Sequence, residues 1–185
     1  MFKKMIAILA LVSIGATAYA EDKVELGYRY DDQRNSPLTQ HAITVDWQTK
    51  VTDNLTMGLG LRAIERDNDN RLTNRYMVKF GYDYKLFYFN TNIGQKHQSL
   101  KPSTEFFDLE TGVKYKVNDD IQVKVGYAYR EGFGGRVEDY HQGPRVAVKY
   151  KLDPRWAVNF KYDYFDFGAG VKRDRYGISV EKRLF

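Results

Sequence analysis

The chain has 185 residues, with 29 Lys+Arg against 24 Asp+Glu, three His, no Cys, 15 Tyr and 11 Phe. That length suits one domain, and the lack of cysteine excludes a disulfide framework, a thiolate metal site and a cysteine nucleophile. His41, His97 and His141 are far apart in sequence, so neither a multi-histidine metal cage nor any cofactor is expected. A mean hydropathy of −0.59 is that of a water-soluble protein, and the order of the residues argues against taking it at face value.

Residues 1–20 read as a secretory signal peptide. Lys3 and Lys4 form its positive start, 5–14 its apolar core, and Ala18-Tyr19-Ala20 a small-x-small cleavage site. Residues 21–185 are then the exported domain. No other apolar run approaches the roughly 20 residues that a membrane helix needs.

From there hydrophobicity alternates with period two, the mark of strands with two unlike faces. In the first run Val24, Leu26, Tyr28 and Tyr30 point one way, and Glu25, Gly27, Arg29 and Asp31 the other. The apolar face continues through Ile43, Val45 and Trp47, then Leu55, Met57, Leu59 and Leu61, then Tyr76, Val78, Phe80 and Tyr82, then Phe87, Phe89 and Ile93. The second half follows with Phe107, Leu109 and Val113, with Val123, Val125, Tyr127 and Tyr129, with Val146, Val148 and Tyr150, with Val158, Phe160 and Tyr162, and with Tyr176, Ile178 and Val180. The count is ten strands, with twelve as the alternative.

The connections alternate between two kinds. Tight turns fall at 52–54, 84–86, 118–120 and 153–155, and longer polar or Gly-rich links at 32–40, 65–74, 97–105, 131–143 and 166–174. With both termini on one side, every tight turn lies on that side and every long link on the other. This is the layout of an all-β, antiparallel transmembrane β-barrel with short periplasmic turns and longer extracellular loops. Val78-Lys79-Phe80, Val113-Lys114-Tyr115 and Val148-Lys149-Tyr150 recur every 35 residues, each on a strand descending to a tight turn.

Aromatics on the apolar face cluster at strand ends. Trp47, Tyr82, Tyr115, Tyr150 and Trp156 fall near the turns, and Tyr28, Tyr127, Tyr129, Tyr162 and Tyr164 near the loops, with aliphatics between. These are the two girdles of a membrane barrel; an aromatic-rich soluble barrel of the lipocalin kind is the alternative. By parity the other face carries Arg29, Arg62, Arg75, Lys79, Lys114, Lys124, Arg130, Arg145, Lys149, Lys161 and Arg175, opposed by acids such as Glu25, Asp31, Asp46, Asp108, Glu110, Asp163 and Glu181. A cation-lined passage favours anions, whereas complete pairing of these charges would seal the interior.

The residues resemble the small monomeric outer-membrane porins for acidic oligosaccharides, the oligogalacturonate-specific porin family. The resemblance rests on Gly27-Tyr28-Arg29, on Tyr150-Lys151-Leu152-Asp153-Pro154-Arg155-Trp156, on Lys161-Tyr162-Asp163-Tyr164-Phe165-Asp166 and on Arg175-Tyr176-Gly177-Ile178-Ser179-Val180. It implies a monomer in the outer membrane, lipid and the barrel assembly machinery as partners, anionic small solutes or oligosaccharides as cargo, and basic-track roles for Arg29 and Arg175. Two departures stand beside it. The family is twelve-stranded, and the segment Gly126-Tyr127-Ala128-Tyr129-Arg130 lacks two arginines of its motif. A final aromatic, Phe185, suits the assembly signal but is out of parity with Val180, so the register is expected to slip near Lys182.

Other function classes fare worse. An outer-membrane protease would need a loop His with acidic partners, here His141 with Asp139 and Glu138, and a lone loop His is read as a solvated residue. No enzyme is expected. Setting Lys3 and Lys4 aside from 29 Lys+Arg, against 24 Asp+Glu, leaves a mature net charge of +3. These cations are spread by strand parity rather than gathered in a patch, so nucleic-acid binding is not expected. A structural or adhesive barrel acting through its loops, 131–143 above all, is the stronger alternative.

Overall fold

The computed structural model describes residues 22–34, 36–67, 72–98, 102–133, 140–168 and 170–184. The expected signal peptide, loop residues Gly134, Gly135, Glu138 and Asp139, and Phe185 lie outside the described residues.

Ten strands follow one another: β1 (Lys23–Gln33), β2 (Thr39–Lys50), β3 (Leu55–Arg66), β4 (Leu72–Tyr84), β5 (Phe87–Gln98), β6 (Thr104–Lys116), β7 (Ile121–Gly132), β8 (His141–Lys151), β9 (Trp156–Asp166) and β10 (Lys172–Arg183). Each pairs antiparallel with its chain neighbours, and β1 pairs with β10, so the sheet closes on itself. Closure satisfies every edge that an open sheet would leave bare. It also settles the count at ten rather than twelve.

The tight turns are built by the side chains that the sequence supplies. Asn118 Oδ1 accepts from the backbone N–H of Asp120 (2.9 Å) and Ile121 (2.7 Å), and Asp153 Oδ1 accepts from Arg155 (2.7 Å) and Trp156 (2.8 Å). Thr52 Oγ1 plays the same part for Leu55 at 3.1 Å. Lys85 takes a left-handed φ of 53° in the turn after β4, the one non-glycine there among the described residues.

The strands are longer, and the opposite loops shorter, than the alternation of apolar residues indicates. Residues such as Asp32, Glu65, His97, Glu131 and Asp166 belong to strands rather than loops. At the strand ends the outward side chains turn polar while the ladder runs on, so the apolar signal stops before the strand does. The expected register slip at Lys182 is also absent. Pairing runs unbroken from Asp174 to Arg183 against β1, and the Leu184 N–H continues it to the Asp22 carbonyl at 2.9 Å. Leu184 has the parity of Ile178 and Val180, so the apolar face continues to it.

The outward face is apolar and bare: Leu59, Tyr76, Ile93, Val125, Phe160 and Ile178 are all exposed. Each apolar side chain of this size gains about 1.5–3 kcal/mol on leaving water, so the belt is made for hydrocarbon. The girdle residues Tyr28, Tyr82, Tyr115, Tyr127, Tyr150, Trp156 and Tyr162 are likewise exposed, with Trp47, Tyr129 and Tyr164 half-buried between neighbours. A soluble barrel of the lipocalin kind keeps its apolar residues inside, and this interior is charged, so that alternative falls.

Gly143 marks a place where strands crowd. A Cβ there would drive into the Tyr164 carbonyl, a backbone atom that has no rotamer to escape with. Gly143→Ala is expected to cost about 1–3 kcal/mol by overpacking β8 on β9, read as a lower urea midpoint of the refolded barrel.

Candidate functional site

The inward face is where the sequence concentrates chemistry. Of the predicted basic residues, Arg29, Arg62, Lys79, Lys124, Arg130, Arg145, Lys149, Lys161 and Arg175 line one central cavity of about 390 Å³. Arg75 and Lys114 also face inward by strand parity but lie outside that lining. Arg75 stacks over Phe106 at 5.5 Å, and Lys114 pairs with Asp83 at 2.7 Å.

Register places these side chains in rows that wind around the barrel. One row runs Lys114, Lys124, Ala147, Lys161, Gly177, Arg29. The row beside it runs Gln122, Lys149, Asn159, Ser179, Gly27, Thr44, Arg62, Arg75, Lys96, Thr104. Neither contains a carboxylate. The second climbs from the tight-turn end at Gln122 to the long-loop end at Thr104, because tilted strands convert a hydrogen-bonded row into a spiral.

Some acids reach across from other rows, and some pair within their own: Asp31, Arg175, Asp163 and Arg145 stand opposite one another in turn along one row, as Asp108 and Arg130 do in another. Lys149 meets Glu181 at 2.5 Å, Lys79 meets Asp46 at 2.7 Å, and Lys161 reaches Glu25 only at 3.7 Å. Arg175 grips Asp31 with two bonds of 3.0 and 3.1 Å, and Arg29 approaches the same carboxylate at 2.8 Å. Arg145 holds Asp163 through two bonds of 2.5 and 3.0 Å and also binds Glu110; Arg130 clasps Asp108. Among the described residues Arg62 and Lys124 make no ion pair, and the Arg62 Nε is buried without a hydrogen bond. Lys124 sits over the Tyr88 ring at 5.0 Å. The three residues of the 35-residue repeat, Lys79, Lys114 and Lys149, each hold one acid.

Aromatic side chains pack inside the barrel near the long-loop end, and the sequence reading passed over them. Phe106 and Phe165 are both 0% exposed and face inward. Guanidinium groups cover their rings: Arg130 lies 4.4 Å from Phe106, and Arg175 lies 4.6 Å from Phe165. His141 packs on Phe165 at 4.4 Å and on Phe167 at 5.1 Å. Neither phenylalanine lines the cavity, which runs from Lys23 and Gln122 near the turns up to Arg130, His141 and Arg175. The signal was available, since Phe106 shares parity with Asp108 and Phe165 with Asp163.

His141 is therefore not the solvated loop residue expected. It begins β8, opposite Arg130, and is 5% exposed. The physical reason is the aromatic layer, which offers the imidazole a packed site that no sequence neighbour reveals. At the rim Arg34, just beyond the end of β1, donates to Asp174 of β10 at 2.5 and 2.9 Å, and that carboxylate holds the guanidinium above its ordinary pKa.

The backbone architecture has known counterparts. The translocator domain of the autotransporter NalP from Neisseria meningitidis aligns over 98% of this chain and 95% of its own, with a TM-score of 0.56 and 11% identity. An outer-membrane channel from Pseudomonas putida gives 0.53 at 9% identity over 90% and 96% of the two chains. The KdgM porin, solved in complex with disordered oligogalacturonate, gives 0.51 at 11% identity over 87% and 99%. The fold is that of outer-membrane β-barrels. No protein-family model matches the sequence, and no curated protein aligns with it. The likeness to KdgM agrees with the resemblance read in the sequence at the level of fold.

Proposed function

We propose that this chain is a small monomeric outer-membrane channel whose basic lumen admits small anions, acidic sugars among them. The observation that carries this reading is the pair of adjacent inward rows with cations and no carboxylates. An anion moving along them exchanges one Lys or Arg for the next, and among the described residues Arg62 and Lys124 have no ion-paired carboxylate to release first. The apolar belt and its aromatic girdles support insertion in the outer membrane, and the small residues Ala147 and Gly177 leave room between the cations.

Single-channel recording of the refolded barrel in a planar bilayer under a salt gradient tests it. The expected result is discrete steps with a reversal potential of anion sign, shifted toward the cation side in the Arg62→Glu, Lys124→Glu double variant. Added oligogalacturonate, the ligand in the KdgM complex, is the first acidic-sugar probe. Cation selectivity in the unmodified barrel, or a double variant with unchanged reversal potential, sinks the reading.

One observation favours a second reading. The buried layer of Phe106 and Phe165 at the long-loop end suits a sealed barrel that acts through its outer surface. A demonstrably folded barrel without current establishes that reading instead.

A further inference from the structure

Both tryptophans of the chain stand on one outward row at the tight-turn end. The row crosses four neighbouring strands as Trp156, Lys182, Val24, Trp47. Lys182 lies between the two rings, its ammonium 5.0 Å from the centre of Trp156. By strand parity it is the one Lys or Arg on the outward face at this end among the described strand residues. Towards the middle of the belt, Val158, Val180 and Leu26 form the next outward row, and Phe160, Ile178 and Tyr28 the row after it. An exposed cation therefore stands at the edge of the apolar belt.

The neighbourhood is cationic. Arg155 precedes Trp156 in the β8–β9 turn, and its carbonyl accepts from the Arg183 N–H at 2.8 Å, which ties that turn to the end of β10. Lys151, Arg155 and Arg183 line a small cleft with Pro154 and Trp156. Among the described residues Lys151, Arg155, Lys182 and Arg183 make no ion pair. Glu181 lines the cleft as well, and Lys149 and Lys23 hold it at 2.5 and 3.5 Å. The other acids close by are Asp153, whose Oδ1 accepts from the backbone of Arg155 and Trp156, and Asp22, whose carbonyl accepts from Leu184. Four cations thus stand against two acids that pair with none of them.

We propose that Lys182, Arg155 and Trp156 form a binding site for an anionic phospholipid in the leaflet at the tight-turn end. The phosphodiester sits between the ammonium and the guanidinium, the indole lies at headgroup level, and the acyl chains run along Val158, Val180 and Leu26. Each basic residue at such a surface favours an anionic lipid about fivefold. The site rests on the membrane reading of the apolar belt and is independent of whether the barrel conducts.

Quenching of tryptophan fluorescence by lipids brominated on their acyl chains tests it. The full barrel carrying Trp47→Phe, which leaves Trp156 as the reporter, is refolded into vesicles of phosphatidylcholine with phosphatidylglycerol, the bromines on one lipid or on the other. The expected result is phosphatidylglycerol beside Trp156 at about five times its share of the lipid or more. Adding Lys182→Gln and Arg155→Gln together brings it to its bulk share, and Lys182→Arg keeps the preference. Lys116→Gln removes an exposed cation on the same side, four strands away on β6, and leaves the preference unchanged. Heat-modifiable migration on gels establishes that each variant is folded. Equal quenching by the two lipids, a preference that survives the double change, or an equal loss in Lys116→Gln overturns the proposal. So does release of the preference by inorganic phosphate, which assigns the site to the free anion. A barrel that does not enter vesicles sinks the membrane reading and this site with it, and one that enters without a lipid preference sinks the site alone.

Discussion

Replacing Phe106 and Phe165 together with alanine is expected to raise the single-channel current of the refolded barrel severalfold. Both rings are fully buried at the long-loop end, and both lie above the cavity rather than along it. Removing them joins the cavity to the outer mouth. Arg130, Arg175 and Arg145, which cover these rings, do not collapse inward, because each is tied to a carboxylate: Arg130 to Asp108, Arg175 to Asp31, and Arg145 to Asp163 and Glu110. The same change has a cost in stability. Losing a buried phenylalanine ring costs about 3–5 kcal/mol in a packed core, so the urea midpoint should fall while the current rises. A double variant that folds and conducts no better than the unmodified protein places the constriction elsewhere.

Asp31→Asn should be the most damaging single change of charge in the lumen. Asp31 is 1% exposed and holds two guanidinium groups at once, Arg29 at 2.8 Å and Arg175 at 3.0 Å. Removing one partner of a buried pair leaves the other charge uncompensated, which costs about 3–5 kcal/mol. Here two cations are left. The loss should appear as a lower midpoint in urea and as earlier loss of heat-modifiable migration on gels. Adding Arg29→Met to Asp31→Asn is expected to recover part of it, since it removes one of the two stranded charges. A variant as stable as the parent shows that the arginines find other anions, and the lumen is then softer than its hydrogen bonds indicate.

Most of the architecture was legible in the sequence because a barrel in a membrane writes its faces directly into residue parity. Val24, Leu26, Tyr28 and Tyr30 announce an outward face, and Glu25, Arg29 and Asp31 an inward one, with no need to know what they touch. The turns were legible for a similar local reason: Asn118, Asp153 and Thr52 make their hydrogen bonds within three residues. Strand ends were not, because at Glu65, His97 and Glu131 the outward face changes from apolar to polar while the ladder persists. His141 and the phenylalanines were missed for a third reason. Their environment is built by facing side chains of neighbouring strands, β6 with β7, β8 with β9 and β9 with β10, and which of them meet is set by inter-strand register rather than by any one segment. The inward cations were legible by parity, but their sorting into carboxylate-free rows depends on inter-strand register, which no single segment encodes.

The ten-strand count has a consequence for the bore. Barrel diameter grows almost linearly with strand number, and each tight turn of this chain joins only the two strands of its own hairpin. Splicing in one more hairpin would therefore change the circumference by a fixed step without altering any existing strand pair but one. At the present circumference two buried phenylalanines and the arginines over them occupy the interior near the long-loop end. One hairpin more would leave the same side chains spanning less of it, so calibre here is a matter of copy number as much as of side chains.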